Sequence, residues 1–129
     1  DRFLAPANMT EEVQSACPES RQHVTERLAE VAYVMYNCLA QCYAQPIKQV
    51  ESMTGKKYDR IHIVGGGANA EYLNRLTAKA TGIPVYAGPT EATAIGNVAA
   101  QKMAARELAD LKAARACVFR SFPISQYQP

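Results

Sequence analysis

From Val24 through Leu28, Val31, Val34, Met35, Cys38, Leu39 and Cys42 to Ile47, Val50 and Met53, apolar residues recur at steps of three and four. That is the period of an amphipathic helix, and it predicts one long helix running from about Glu19. Pro46 falls inside the pattern, where it removes a backbone donor and crowds the preceding turn, so a kink or break is expected there. Gly55 followed by Lys56 and Lys57 supplies the C-terminal stop, with cations at the negative end of the dipole. Ahead of it, "TEEVQSAC" reads as a short helix with Thr10 as its N-cap, Glu11 and Glu12 in its first turn and Cys17-Pro18 as its end.

The period changes at residues 60–64, "RIHIV", which alternate in polarity and are rich in β-branched side chains, as a strand does. Three glycines follow, then a helical pattern from about Asn69 to Ala80 with Leu73, Leu76 and Ala80 on one face. "GIPVYAG" reads as a second short strand. "PTEATAIGNVAAQKMAAREL" opens with Pro89 and Glu91 and runs rich in alanine, which predicts another helix. Strand, glycine loop, helix, strand, helix is a βαβα unit, and its strands are expected to be parallel. The tail, "ARACVFRSFPISQYQP", carries a few aromatics and receives no element. No internal repeat and no low-complexity linker interrupts the chain.

Composition narrows the function classes. With 129 residues, 14 Lys+Arg against 12 Asp+Glu and a net charge of +2, the chain has a single domain's length and lacks the basic field of a dedicated nucleic-acid binder. No apolar run approaches the roughly 18 residues of a membrane span. The four cysteines (Cys17, Cys38, Cys42 and Cys117) form no CxxC pair, so reduced thiols in a cytoplasmic protein are expected. Cys38 and Cys42, four apart on one helical face, are read as small core residues rather than half of a soft-metal site. The chain opens "DRFLAPANMTEE" without an initiator Met, and is expected to be a piece of something longer.

"IHIVGGGANAEYLN" is where chemistry is expected. A strand entering a glycine turn that opens a helix leaves unpaired backbone N–H groups at the positive end of a dipole, and the missing Cβ atoms let a ligand approach the main chain. A P-loop is excluded, because Ala68, Asn69, Ala70 and Glu71 stand where GxxxxGK[ST] needs its Lys and hydroxyl. Gly65, Gly67 and Ala70 satisfy the dinucleotide pattern GxGxxA, but the second strand ends Tyr86-Ala87-Gly88 with no acidic residue for a ribose, and Glu91 lies beyond it. A turn that serves only tight packing is the third reading. "AGPTEATAIGN" also follows a strand and starts a helix, so two loops should lie side by side at the carboxyl edge of one sheet, where α/β proteins bind ligands. Thr90 and Thr93 could add hydroxyls there, and Gly96 would allow close helix packing.

"GGGANAEYLNRLTAKATGIPVYAGPTEATAIGNVAAQ", with "RFLAP..M" and "EEVQSAC" upstream and "RSFP...Y.P" at the end, resembles the C-terminal domain of the FGGY carbohydrate kinases. The resemblance covers nearly the whole chain and is weakest in the long helix. It implies an α/β fold, the C-terminal part of an actin-like, ribonuclease H-like ATPase domain, with long N-terminal helices before the βαβα unit; residues 1–129 would be one partial domain, without the sugar-binding domain. It further implies ATP with magnesium as cofactors and a ketose as sugar substrate. L-rhamnulose, phosphorylated to L-rhamnulose 1-phosphate, is the first expectation, with L-fuculose or another ketose, or a nucleotide- or dinucleotide-binding module without kinase activity, as the alternative. By the same resemblance Gly65, Gly66, Gly67, Ala68, Asn69 and Asn74 form the adenosine-side site. The sequence departs from the family twice: Ala70 stands where GGGxxN has its Asn, with Asn69 one place earlier, and Pro46 interrupts what the family builds as a continuous helix.

Phosphoryl transfer needs a carboxylate base, phosphate clamps and magnesium ligands, and no residues here are arranged for that. Glu11, Glu12, Glu26 and Glu30 read as solvated helix positions, and Asp59 lies at the amino end of its strand, the wrong edge of the sheet. His23, placed in a helix, and His62, on one strand face, read as surface or satisfied core residues. Arg115, Arg120 and Ser121 read as holding the tail. By the resemblance, the catalytic Asp, the phosphate loops and most of the magnesium ligands lie upstream, so no catalytic or metal-binding residue is assigned and the chain alone is expected to be inactive. Apolar faces that other parts of such a domain would cover are expected to be exposed, with self-association of the chain as a consequence.

Overall fold

The computed structural model describes residues 2–23 and 27–129, and the expectations for Val24 and Glu26 lie outside the described residues. The first helix, α1 (Met9–Glu19), is capped by Asn8 and not by Thr10: the Asn8 side chain accepts from the N–H groups of Thr10 and Glu11. With Asn8 as the cap, Glu11 falls at the third helical position, where an acidic residue suits the unpaired donors. Pro18 is tolerated inside the last turn, and the chain leaves through Arg21 at φ +59° with Gln22 N–H returning to Cys17 O at 2.8 Å. His23 therefore sits in an exposed connection, not a helix.

The long helix α2 (Leu28–Thr54) begins later than Glu19 and runs unbroken through Pro46. The break expected at Pro46 is therefore not made, although the proline still removes one backbone donor from the helix. Gly55 ends the helix in the left-handed conformation at φ +67°, as expected of a C-terminal glycine. Val13, Cys17 and Val31 form a small core between α1 and α2, with Met9, Val34 and Met35 packed around it. The rest of α2 is covered sparingly: Cys38 and Cys42 are exposed, which corrects their reading as core, and so are Tyr33, Leu39, Tyr43, Val50 and Met53.

Strand β1 (Ile61–Ile63) pairs in parallel with β2 (Val85–Ala87), Ile61 opposite Val85 and Ile63 opposite Ala87. Between them lie a tight 3₁₀ turn over Gly65–Asn69 and helix α3 (Glu71–Thr81), which packs along α2. The glycine turn is thus itself helical, and α3 starts two residues after the expected Asn69. Its buried face is Asn74, Thr77 and Ala78, while Leu73 and Leu76 are half-buried and Ala80 is exposed.

Helix α4 (Ala92–Ala104) follows β2, and the tail then forms two elements that the sequence pattern did not announce. Helix α5 (Leu111–Ser121) is capped by Asp110, whose carboxylate accepts from Ala113 N–H at 2.7 Å. Strand β3 (Ser125–Tyr127) adds to β2 in antiparallel register, Ser125 opposite Ala87 and Tyr127 opposite Val85. The sheet is therefore mixed, in the order β1-β2-β3, and β2 lies at its centre with Val85 and Ala87 buried.

Candidate functional site

The two loops at the carboxyl ends of β1 and β2 lie side by side, stitched by their own main chains. Gly88 N–H donates to Ile63 O at 2.8 Å, and Gly65 N–H donates to Pro89 O at 3.0 Å. Both donors are glycine backbone groups. Gly65 takes φ +74°, a conformation that favours glycine, and a Cβ on it would approach Thr90 O at 3.9 Å.

Beneath the first loop sits Asn74, 1% exposed. Its Nδ2 donates to Ala68 O at 3.1 Å and to Gly67 O at 3.3 Å, while its own N–H continues the helix to Ala70 O. The side chain thus meets the loop from inside and holds two of its carbonyls. Gly66, Gly67 and Asn69 are exposed, Gly65 and Ala68 half-buried. A Cβ on Gly66 would meet nothing within 4 Å among the described residues, and one on Gly67 would rest 3.4 Å from Ile63 Cγ2. Ala70, at φ −82° and ψ 65°, joins the 3₁₀ turn to α3 and gives that helix no side-chain cap.

Of the other residues singled out, Thr90 is half-buried beside the loops and Thr93 is exposed on α4. A Cβ on Gly96 would meet nothing within 4 Å, so among the described residues this glycine serves no close helix packing. Asp59 is tied to Arg60, whose hydrogen bond holds the carboxyl below the usual carboxylate range; it is a paired surface group. Glu12 pairs with Arg2 at 2.8 Å, Glu11 and Glu30 are exposed, and His62 stacks on Tyr86. Arg115, Arg120 and Ser121 are exposed on α5. Among the described residues, no three His, Cys, Asp or Glu side chains are grouped to hold a metal ion.

Gly88 is the residue that sequence reasoning undervalued. It takes φ +130°, is buried, and a Cβ there would lie 2.6 Å from Pro123 O. Only glycine fits. The signal was present in "YAGP", but the atom it must accommodate comes from the tail.

A parallel strand pair with a glycine turn and a second loop joined at its carboxyl edge is the layout by which α/β proteins receive ligands. Comparison with known proteins makes the class specific: residues 2–105 match the C-terminal domain of the FGGY family of carbohydrate kinases, and the chain belongs to that family. The domain is part of the actin-like ATPase fold, and the mixed α/β arrangement agrees with it. The chain is 47% identical over 128 residues to a rhamnulokinase from Bacillus subtilis, a match covering 99% of this chain and 26% of that protein. It is 44% identical over 129 residues to a rhamnulokinase from Enterococcus faecalis (98% and 26% covered) and 36% identical over 129 residues to one from Bacteroides thetaiotaomicron (100% and 27% covered). The chain thus spans about a quarter of the length of the curated relatives it matches.

Proposed function

We propose that this chain supplies the adenosine side of the ATP site of a sugar kinase. At the length of its relatives, that kinase transfers the γ-phosphoryl group of MgATP to a ketose hydroxyl and makes L-rhamnulose 1-phosphate from L-rhamnulose. The observation that carries the reading is Gly66. Glycine costs about 0.5–1 kcal/mol of conformational freedom in a helical turn relative to alanine, yet a Cβ at this exposed position would meet nothing within 4 Å among the described residues. Among the described residues its bareness makes room for no other part of the chain. What sets Gly66 apart from the equally bare Gly96 is its place in the turn after β1, beside the loop after β2, where a ligand can approach the main chain.

In this reading Gly65 sets the turn, and Gly66, Gly67, Ala68 and Asn69 face the nucleoside. Asn74 acts through the carbonyls it holds, and Ala70 forgoes the polar contact that the family's Asn would offer. Magnesium bound to the nucleotide neutralises phosphate charge. The described residues do not form a site for it, and we assign its ligands, the base and the phosphate clamps to other parts of the kinase. We place the protein in the cytoplasm, where ATP is supplied and the four free thiols stay reduced.

Two measurements test this. Isotope-labelled chain titrated with ADP should show shift changes at Gly65–Asn69, and changes with NAD but not with ADP would favour a dinucleotide module. ADP release by the kinase at its relatives' length, offered L-rhamnulose, L-fuculose, D-xylulose and glycerol, should be strongest on L-rhamnulose, with none from this chain alone. Preference for another sugar overturns the substrate, and no turnover on any overturns the kinase reading.

A further inference from the structure

Residues 106–129 lie outside the stretch matched by the family model, yet their last part, 123–127, packs against β2 and the start of the loop that follows it. Strand β3 lies against β2 with Ser125 opposite Ala87, which brings the backbone just before it onto the next residue of β2's chain, Gly88. The would-be Cβ of Gly88 lies 2.6 Å from Pro123 O and 3.4 Å from Ile124 Cα, so main chain packs directly on main chain. From Gly88 the restraint passes to both loops, through Gly88 N–H to Ile63 O and through the adjacent Pro89 O to Gly65 N–H. At its other end the segment reaches α3: the Arg75 guanidinium lies 6.0 Å from the centre of the half-buried Tyr127 ring. Arg75 is the neighbour of Asn74, which holds the glycine loop from within.

We propose that residues 123–127 are a positioning strap, fastened to Gly88 and to α3, that fixes the separation of the glycine loop from the loop after β2. The Gly88 contact prevents the second loop from sliding along the sheet, and the Tyr127 contact prevents α3 from tilting away. The consequence for nucleotide affinity rests on the adenosine reading above. The mechanical coupling does not, since it is observable in the chain without any ligand.

The test is amide hydrogen exchange at Gly65 and Gly88 in the wild-type chain and in Gly88→Ala, Tyr127→Ala and Tyr127→Phe, with an ADP titration of each. Gly88→Ala should speed exchange at Gly65 about tenfold or more by opening the strap locally, while amides of the α1–α2 core such as Val13 keep their wild-type rates. Tyr127→Ala should speed it about threefold, the size expected from losing one exposed cation–π contact, and Tyr127→Phe, which keeps the ring, should match wild type. ADP affinity should fall in the same order. Gly65 exchange within about twofold of wild type in both Gly88→Ala and Tyr127→Ala overturns the strap. If Gly88→Ala does not fold, the contrast between Tyr127→Ala and Tyr127→Phe decides alone. If ADP shifts nothing in the wild-type chain while Gly65 exchange follows the predicted order, the strap stands and the nucleotide reading fails.

Discussion

The loop pair after β1 and β2 and the outer face of α2 are built from opposite materials. Backbone hydrogen bonds of 2.8 and 3.0 Å join the loops, a buried asparagine supports one of them, and Gly65 and Gly88 stand where the loop backbone comes against Thr90 O and Pro123 O. Along α2, Tyr33, Leu39 and Met53 present large apolar side chains that stay 58%, 44% and 85% exposed. The first region has its shape specified by atoms within the chain. The second has an apolar period that its neighbours cover only in part: α1 takes Val31 with the half-buried Val34 and Met35, α3 packs along another side where Ala40 is buried and Tyr36 meets Tyr72, and the remaining large side chains stay exposed among the described residues. A periodic pattern states that a helix has an apolar side, and only the neighbouring elements determine how much of that side is covered.

The sharpest way to break the comparison is to remove the support of the loop. Asn74→Ala leaves the carbonyls of Gly67 and Ala68 without their side-chain donor in a part-buried setting, at a cost of about 3 kcal/mol. Thermal unfolding should register this, and ADP shifts at the loop should weaken further than stability alone explains. Val31→Ala, in the α1–α2 core, removes two buried methyl groups and should cost about 2 kcal/mol with no change in the loop's shifts. If Val31→Ala proved the costlier of the two, or disturbed the loop, the regions would not be held independently.

These two residues also mark what could be read from the residues alone. The strand ends, the glycine turn and the pairing of the two loops were legible, since β-branched residues next to glycine are local signals. The stop at Gly55 was legible for the same reason. Cys38 and Cys42 were misread, because spacing places them on one face but does not say whether anything covers it. Strand β3 escaped notice: three residues beside a proline carry too little pattern, and their partner strand is remote in sequence. The need for glycine at position 88 was hidden likewise, since the clashing oxygen belongs to Pro123. A kink or break was expected at Pro46, and α2 stays helical across it, so no break occurs there.

A smaller effect sharpens the account of the site. Ala70→Asn restores the family's side chain at the junction of the 3₁₀ turn and α3, and one added neutral hydrogen bond is worth about 1 kcal/mol. ADP should therefore bind roughly fivefold tighter, the equivalent of that energy. No gain would mean that Asn69 already makes the contact.

At the end of α2, Glu51 accepts from Lys57 Nζ at 2.8 Å and from Tyr58 N–H at 3.2 Å, and these bonds, the Lys57 one first, hold its carboxyl below the usual range. A lowered folded-state pKa contributes stability that is present above the unfolded value and lost as pH falls through the folded one. Acid titration followed by NMR at Tyr58 should show its amide losing that partner as Glu51 protonates, while the Gly65 amide, which bonds to a carbonyl, stays unmoved.

The smallest effect is expected where the largest apolar side chains are exposed. Leu39→Gln and Met53→Gln keep good helix formers and replace groups that water already reaches, so unfolding free energy should change by no more than about 0.5 kcal/mol each. Sedimentation velocity should nonetheless show less association at high concentration, because an exposed apolar stripe is self-complementary surface. A loss near 2 kcal/mol in either variant would instead mean that this face is buried in solution by a second copy, since only burial gives a side chain of that size so large a stake in folding. The outer face of α2 would then be as fully specified as the loops, with its specification divided between two chains.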